Sequence, residues 1–369
     1  MHQRLGALNP WLAQEKAHLV SLLHLPSMNP RRLNEILALH GSPAGAWEAV
    51  SRGDAGLSRL CAEWQAWARG TDVEGLYGDL LGRGIEVLVN GEAGYPGALA
   101  TIHAPPVALF VRGRLRSGVR NVAVVGARKA TPYGLQVGRS LAEGLSRAGV
   151  CVVSGAAWGI DTSAHVGALA GGGSTVAVLG CGVDLVYPRS SSSLFEKIVE
   201  GGALISEYVP GTEPRPHHFP ARNRIIAGMC EAVVVVEASE RSGALITAES
   251  ALEEGREVMA VPGQVFSANS MGPHSLVRAG AALVRSAADV LEELGLDVPD
   301  ADVPSGESPP VGTSPLLDAL EGGPLDVEGL AADAGLPVFK ALAALTDLEL
   351  RGLVVRGPGG QFQLVKPRG

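Results

Sequence analysis

Cysteine and long apolar runs are both scarce in this sequence. The cysteines number four in 369 residues and lie far apart without a CxxC pair, so we predict neither a disulfide framework nor a metal site. No stretch approaches the roughly 18 consecutive apolar residues of a membrane helix, and Glu15 and Lys16 stand where a secretory signal would need apolar residues. We therefore expect a cytoplasmic protein that does not enter a membrane. The cysteines are Cys61, Cys151, Cys181 and Cys230.

Acidic residues are in excess, and the formal net charge of -8 argues against a nucleic-acid partner when the chain is taken as a whole. The excess lies outside residues 112–295, which carry equal numbers of acidic and basic side chains. Within them, residues 112–142 contain no Asp or Glu, an asymmetry that suits either an anion-binding surface or a solvated face. The basic side chains of this run are Arg112, Arg114, Arg116, Arg120, Arg128, Lys129 and Arg139.

The spacing of apolar residues divides the chain into four segments. Residues 1–95 have leucines three and four positions apart and predict a small helical domain. Residues 96–295 alternate short β-branched runs with glycine turns and helical stretches, which predicts a doubly wound, mostly parallel α/β domain. Residues 296–312, rich in Pro, Gly, Ser and acid, predict a linker. Residues 313–369 predict three helices and a hairpin, the layout of a winged helix.

Neither outer domain has the side chains of a sequence-reading DNA module. The segment LLHLPSMNPRRL has the layout of a helix-hairpin-helix, but Ser27 and Asn29 stand at the turn positions where glycines would let backbone amides approach a phosphate. The predicted third helix of the winged helix carries as many acidic as basic side chains. We therefore interpret both domains as packing or protein-contact modules.

The first βα turn of the predicted sheet, VVGARKATPYG, has the features of a phosphate site. Gly126 ends the strand, and Thr131 and Pro132 are a good N-cap and first helical residue, so helix amides should face the groove beside Arg128 and Lys129. The turn is not GxGxxG, and GxxxxGK[ST] occurs nowhere, so we predict no dinucleotide, ATP or other cofactor. A plain turn with surface cations is the alternative interpretation.

The second predicted βα turn, VVSGAAWGID, places Trp158 between Gly155 and Gly159. A large aromatic side chain beside a phosphate site suits the stacking of an unpaired base, a contact worth about 1–3 kcal/mol. Packing of this ring on a neighbouring loop is the alternative. Asp161 and His165 lie four residues apart, but we interpret them as a helix cap and a buried hydrogen-bonded group rather than as catalytic residues.

Two further segments complete a predicted cleft at one edge of the sheet. In HHFPARNRII, which we expect to precede an apolar strand, an Arg-Asn-Arg segment offers two guanidinium groups and an amide to phosphate and base, and Phe219 offers a second stacking face. The turn of SGALITA adds free helix amides. The candidate binding residues are Arg128, Lys129, Thr131, Gly155, Trp158, Phe219, Arg222, Asn223, Arg224, Ser242 and Gly243.

The last helix and strand of this domain carry apolar side chains at a predicted sheet edge, where they favour a two-fold partner and hence a homodimer. These side chains belong to Leu276, Val277, Leu283 and Val284.

Taken together, these motifs resemble the DNA processing protein A (DprA/Smf) family. VVGARKATPYG, SGAAWGID, LGCGVDLVYP, ISE, FPARNRII, SGALITA and GREVMAVPG occur in family order over residues 95–285. The resemblance implies an extended Rossmann domain that binds single-stranded DNA, dimerises, and loads the RecA recombinase onto incoming strands during natural transformation in competent cells, displacing single-strand-binding protein. It implies no nucleotide hydrolysis. For the outer domains it implies a SAM-like or helix-hairpin-helix-like domain over residues 1–95 and a winged helix over residues 313–369.

The resemblance also assigns residues. It places Arg128 and the segment Arg222 to Arg224 in the DNA site, and His274, where the family has Asn or His, in the dimer region. Trp158 departs from the family pattern, which more often has a basic or small residue there.

Two other classes of function stay open at this stage. A related Rossmann enzyme would cleave the N-glycosidic bond of nucleoside monophosphates with a paired Arg and Glu beside a PGGxGTxxE loop, whereas this chain has SGALITAE, which keeps Glu249 but lacks the glycine run. A protein-interaction scaffold would explain the net charge but leave the basic run unused. We predict a non-catalytic recombination mediator.

Overall fold

The computed structural model describes residues 13–54, 56, 60–297, 315–320, 322–350, 353–357 and 360–365. The chain divides into two units, residues 1–299 and residues 300–369, and each is described by itself. The predicted linker at 296–312 lies outside the described residues except for its first two positions. The boundary predicted at residue 96 falls inside the first unit.

The described part of the first unit begins with five helices, and residues next to them in sequence cap helix ends, as α2 shows. Asn29 caps α2 by accepting the N–H of Arg32, and Pro30 fills the first helical position. Ser27 has a positive φ of 58° in the preceding turn. Asn29 of this turn therefore stabilises the start of α2. The helices are α1 (Ala13–Leu23), α2 (Pro30–His40), α3 (Pro43–Arg52), α4 (Cys61–Arg69) and α5 (Val73–Gly82).

A nine-stranded sheet follows, with the order β1-β2-β6-β5-β4-β3-β7-β8-β9. The pairs β1 with β2 and β2 with β6 are antiparallel, and every other neighbouring pair is parallel, which confirms the predicted mostly parallel sheet. The strands are β1 (Ile85–Val89), β2 (Ala108–Gly113), β3 (Asn121–Val125), β4 (Cys151–Ser154), β5 (Thr175–Val178), β6 (Ala203–Ser206), β7 (Ala232–Val235), β8 (Glu257–Ala260) and β9 (Ala282–Leu283).

Helices cover both faces of this sheet, so its parallel strands are continuously buried and can be continuously apolar. The chain runs outward from β3 in one direction through β4, β5 and β6, and in the other through β7, β8 and β9. Ligands of such sheets bind at the carboxyl ends of the strands where this direction reverses. The helices are α6 (Gly97–Ala100), α7 (Pro132–Arg147), α8 (Ile160–Ala170), α9 (Ser192–Gly201), α10 (His218–Met229), α11 (Gly243–Glu253), α12 (Met271–Arg278) and α13 (Ala287–Glu293).

The N-terminal helices share a hydrophobic core with the antiparallel edge of the sheet. Leu19 and Trp64 belong to the same buried cluster as Val87 and Phe110 of β1 and β2. The indole N–H of Trp64 donates to the carbonyl of Pro26 at 2.9 Å. The sheet therefore begins at β1, upstream of residue 96, and the helices pack directly on it.

The second unit has the element order of a winged helix, which confirms that part of the predicted fold. Leu316, Leu330 and Leu345 from its three helices pack with Val354 and Phe362 of its hairpin. In neither unit does a described helix have the length and apolarity to cross a membrane. The elements are α14 (Pro315–Leu320), α15 (Val327–Asp333), α16 (Val338–Leu350), β10 (Val354–Arg356) and β11 (Phe362–Leu364), with the two strands antiparallel.

Candidate nucleic-acid site

A cavity of about 690 Å³ lies at the carboxyl edge of the sheet, where the chain direction reverses between β3 and β7. Turns after β3, β4 and β7 and the first half of α10 form its wall. Among the predicted site residues, the lining contains Arg128, Lys129, Phe219, Arg222, Asn223, Ser242 and Gly243. It does not contain Thr131, Gly155, Trp158 or Arg224.

The first βα turn is fixed by a buried carboxylate that the sequence did not single out. Thr131 is the N-cap of α7, as predicted, but its backbone N–H and its hydroxyl both donate to Glu237, which follows β7. The side-chain amide of Asn269 donates to Glu237 and to the carbonyl of Lys129. Thr131 therefore positions the turn instead of facing a ligand. A lone acidic residue ending the apolar run VVVV was the available signal for Glu237.

The two cations of this turn have no carboxylate partner within the described ranges. The Arg128 guanidinium lies 5.4 Å from the ring centroid of Phe219, and Phe219 in turn lies 5.6 Å from the ring centroid of Tyr187. Arg128 and Lys129 are thus available to an anion beside an aromatic wall. Tyr187 was not predicted as part of the site.

Arg222 lies inside α10, so it does not immediately precede an apolar strand as predicted. Its side chain is only 4% exposed and donates to the backbone carbonyls of Gly155, at 2.9 Å, and Val178. Burial lowers the pKa of Arg222 to about 10, and the opposite charge of Asp161 offsets part of that shift. Arg222 therefore forms a charged floor for the cavity and joins α10 to β4 and β5.

Its two neighbours in the Arg-Asn-Arg segment have separate partners. Asn223 donates to the carbonyl of Gly243 at 3.1 Å and ties α10 to the start of α11. Arg224 forms a largely buried ion pair with Glu207 and does not belong to the cavity lining. The predicted convergence of two free guanidinium groups from this segment does not occur, since residues two apart on a helix lie on different faces.

The second βα turn approaches the cavity through backbone instead of through its tryptophan. A Cβ at Gly155 would lie 2.7 Å from the Arg222 guanidinium, so this close approach requires glycine. Trp158 is 56% exposed beside the cavity, and its indole N–H donates to the hydroxyl of Ser190 at 3.2 Å. The ring therefore presents a face to solvent, next to Ala157 of the lining.

Asp161 and His165 are both buried below this turn, in the first and second turns of α8. Asp161 accepts the backbone N–H groups of Gly155 and Ala157, while Gly159 holds the N-cap position that the sequence suggested for Asp161. Burial raises the pKa of Asp161, and Arg222 opposes that rise. Burial, followed by the charge of Arg222, lowers the pKa of His165 to about 3, so the imidazole is neutral near pH 7.

Among the predicted dimer residues, Leu283 lies on β9 at the edge of the sheet, as predicted, but α12, which carries His274, Leu276 and Val277, is not the last helix of this unit because α13 follows it. Leu283 of β9 is 48% exposed, and Val277 of α12 is half-buried, as is Leu276. Val284 is fully buried, and His274 lies 3.1 Å from the carbonyl of Gly263 through Nε2. Leu283 is therefore the member of this set that is most available to a partner.

Comparison with protein-family models identifies two regions. The family described as DNA recombination-mediator protein A matches residues 86–295, and the DprA winged helix domain matches residues 299–360. The DNA processing protein DprA of Streptococcus pneumoniae is 48% identical over 200 residues, which cover 54% of this chain and 71% of that protein. Protein Smf of Escherichia coli is 42% identical over 282 residues, which cover 73% of this chain and 75% of that protein.

Solved structures show the same similarity. The X-ray structure of DNA processing protein A from Streptococcus pneumoniae has a TM-score of 0.65 and 35% identity, covering 76% of this chain and 98% of that one. The Helicobacter pylori protein, described by its single-stranded DNA binding mode, has a TM-score of 0.52 and 27% identity, covering 57% of this chain and 95% of that one.

The burial of His165 predicts a pH-dependent stability. Below pH 6.5 the unfolded chain binds a proton that the folded chain rejects until about pH 3, so the free energy of unfolding should fall as pH falls through this window. Between pH 6.5 and about pH 4.5, the free energy of unfolding of the His165→Asn protein should fall by about 2–3 kcal/mol less than that of the wild-type protein. Urea denaturation of both proteins at each pH measures the difference.

The difference between the two proteins is the informative quantity, because the raised pKa of Asp161 acts in the opposite sense in both. His103→Asn, which removes an exposed imidazole, is the matched control for the loss of a histidine. Identical pH dependence in wild-type protein and His165→Asn would show that the pKa of His165 does not differ between the folded and unfolded states, which would contradict the prediction.

Proposed function

The chain belongs to the DNA recombination-mediator protein A family, and from this premise we propose that its cavity binds single-stranded DNA. The observation that carries the proposal is a pair of cations, Arg128 and Lys129, that have no carboxylate partner among the described residues and lie beside the aromatic wall of Phe219 and Tyr187. Guanidinium and ammonium groups bind phosphate, and exposed rings stack unpaired bases. The single-stranded DNA binding named for the Helicobacter pylori protein supports the same proposal.

A single strand fits this site better than a duplex does. The cavity is concave and lies between turns, so a base can enter it only when it is free of a pairing partner. Trp158, exposed at the side of the cavity, offers a further stacking surface to the next base along the strand. In this arrangement the phosphates of the strand would contact the cations, and its bases would stack on the aromatic rings.

We further propose that the bound strand is delivered to the RecA recombinase in the cytoplasm during natural transformation, in competition with single-strand-binding protein. Family membership and the proposed hold on both phosphates and bases support this role. Competition requires no nucleotide hydrolysis, because a ligand that occupies the same bases displaces another by mass action.

Binding without catalysis is also part of the proposal. Cleavage of a nucleoside monophosphate would need a free carboxylate beside a cation in the cavity. Glu249 is exposed on α11 and does not belong to the lining, and Asp161, which does, is occupied by two backbone amides beside Arg222. Neither carboxylate is placed to activate water, so the geometry favours a binding site.

We also propose that two copies associate through the β9 edge. A sheet edge exposes unpaired backbone groups, and Leu283 adds an apolar side chain there. An isologous pair formed at this edge would carry two strand-binding cavities on one particle.

Salt dependence distinguishes the proposed phosphate contact from the proposed stacking contact. Arg128→Ala should lower the magnitude of the slope of log affinity against log salt by about 0.7, because one fewer counterion is released per single-strand phosphate contact. Trp158→Ala should weaken binding by about 1–3 kcal/mol without changing the slope. Fluorescence polarisation with oligo-dT at several salt concentrations measures both quantities.

Arg69→Ala removes an exposed arginine on α4, outside the cavity, and is the control for net charge. It should leave the affinity and the slope unchanged. If Arg128→Ala binds as wild type at every salt concentration, the first βα turn is not the phosphate site.

The dimer proposal predicts that Leu283→Arg is monomeric. A charged side chain at the centre of an apolar contact should cost about 2 kcal/mol or more of association free energy. Sedimentation velocity measures the oligomeric state, and circular dichroism checks the fold. Leu39→Arg, on another exposed leucine, is the matched control and should sediment as wild type. A Leu283→Arg protein that still sediments as a dimer would place the interface elsewhere.

A further inference from the structure

The basic run that the sequence analysis singled out is split between two edges of the sheet. Arg128 and Lys129 line the cavity at the carboxyl ends of the parallel strands. Arg114 and Arg116 follow β2 and lie at the opposite edge, where those strands begin. The first cavity therefore contains only two of the seven basic side chains of this run.

These two arginines line a second cavity of about 320 Å³. Its position is given by Asn121 and Cys151, the first residues of β3 and β4, and by Glu231, which directly precedes β7. The volume is that of a small-molecule site, and it is too small to hold a helix of a partner protein.

The charge of this second cavity is positive. Arg114 and Arg116 are exposed and make no side-chain hydrogen bond or ion pair to any residue that the structure describes. The carboxylate of Glu231 accepts hydrogen bonds from Arg120 Nε, at 2.8 and 2.9 Å, and from Nη2, so its negative charge is compensated. Two uncompensated guanidinium groups therefore face one small space.

Other features indicate that the space is open and that Arg116 faces it. A Cβ added to Gly97 or Gly118 would meet no atom within 4 Å, so the backbone here borders empty volume. Burial raises the pKa of the Cys151 thiol, and a hydrogen bond with Ser174 and the charge of Arg116 oppose that rise. Ser174 and Asn121 add polar groups to the lining.

We propose that this second cavity binds a phosphate ester of a nucleotide. Guanidinium groups pair with phosphate oxygens through charge-assisted hydrogen bonds, and two of them at one small site select an anion of that kind. The ester has two possible sources, a free nucleotide or the backbone of a nucleic-acid strand that reaches this edge. The proposal does not depend on strand binding at the first cavity.

The test uses the full chain with Arg114→Ala and Arg116→Ala combined, and thymidine 5′-monophosphate as the probe. Both proteins carry Arg128→Ala as well, so that the first cavity contributes little to the titration. Loss of two charge-assisted contacts should weaken binding of the probe at least about tenfold in calorimetry. The combination Arg69→Ala and Arg139→Ala, on two exposed arginines outside both cavities, is the matched control and should bind as its parent.

Oligo-dT of two lengths distinguishes the sources. These titrations use protein that retains Arg128, so that a strand is anchored at the first cavity. If strand backbone is the ligand, Arg114→Ala with Arg116→Ala should lower the salt slope by about 1.4, two contacts at about 0.7 each, for a strand long enough to reach both edges. The slope for a short strand, which occupies the first cavity alone, should be unchanged. Weaker binding of the mononucleotide alone assigns the cavity to a free nucleotide. Either result supports the proposal.

Unchanged mononucleotide affinity together with an unchanged slope for the long strand would overturn it. Ser117→Glu, which adds a negative charge at the lining without removing an arginine, provides a second variant and should also weaken the probe. If the proposal for the second cavity is overturned, strand binding at the first cavity is still tested separately. That test is the salt dependence of oligo-dT binding by the single variant Arg128→Ala.

Discussion

The burial of one guanidinium group, that of Arg222, is the constraint on which the proposed site depends. An ion taken out of water is costly unless charge and hydrogen bonds compensate it, and the compensation here comes from three directions. The carbonyls of Gly155 and Val178 accept its hydrogen bonds, and the Asp161 carboxylate supplies the opposite charge. Because these partners follow β4, end β5 and begin α8, satisfying Arg222 fixes the positions of the elements that enclose the cavity.

A second buried carboxylate, that of Glu237, fixes the position of the first βα turn. Acidic and basic groups therefore have different roles at this site. Glu237 is occupied by Thr131 and Asn269, as Asp161 is by backbone amides, so the acidic groups near the cavity hold the scaffold. Arg128 and Lys129 are held in place by that scaffold but have no described carboxylate partner of their own. The net charge of the chain is thus a poor guide to the local field at the site.

Much of this arrangement could be predicted from the sequence, since local patterns encode it. Continuous apolar runs predicted buried parallel strands, and the pair Thr131 and Pro132 predicted the start of α7. Tertiary partners could not be predicted. The ion pair of Arg224 with Glu207 and the contact of Thr131 with Glu237 join residues distant in the chain, and they remove two predicted ligand contacts. The helix at α10 was missed because its apolar run resembles the start of a strand.

The most direct test of the central claim is amide hydrogen exchange measured with and without oligo-dT. Exchange slows where a ligand covers the backbone, so a strand in the first cavity should protect residues 126–130, the first half of α10 and the start of α11 together. These segments are separate in sequence, and residues from each of them line this cavity. Protection confined to residues 315–365, with exchange at 126–130 unchanged, would contradict the account.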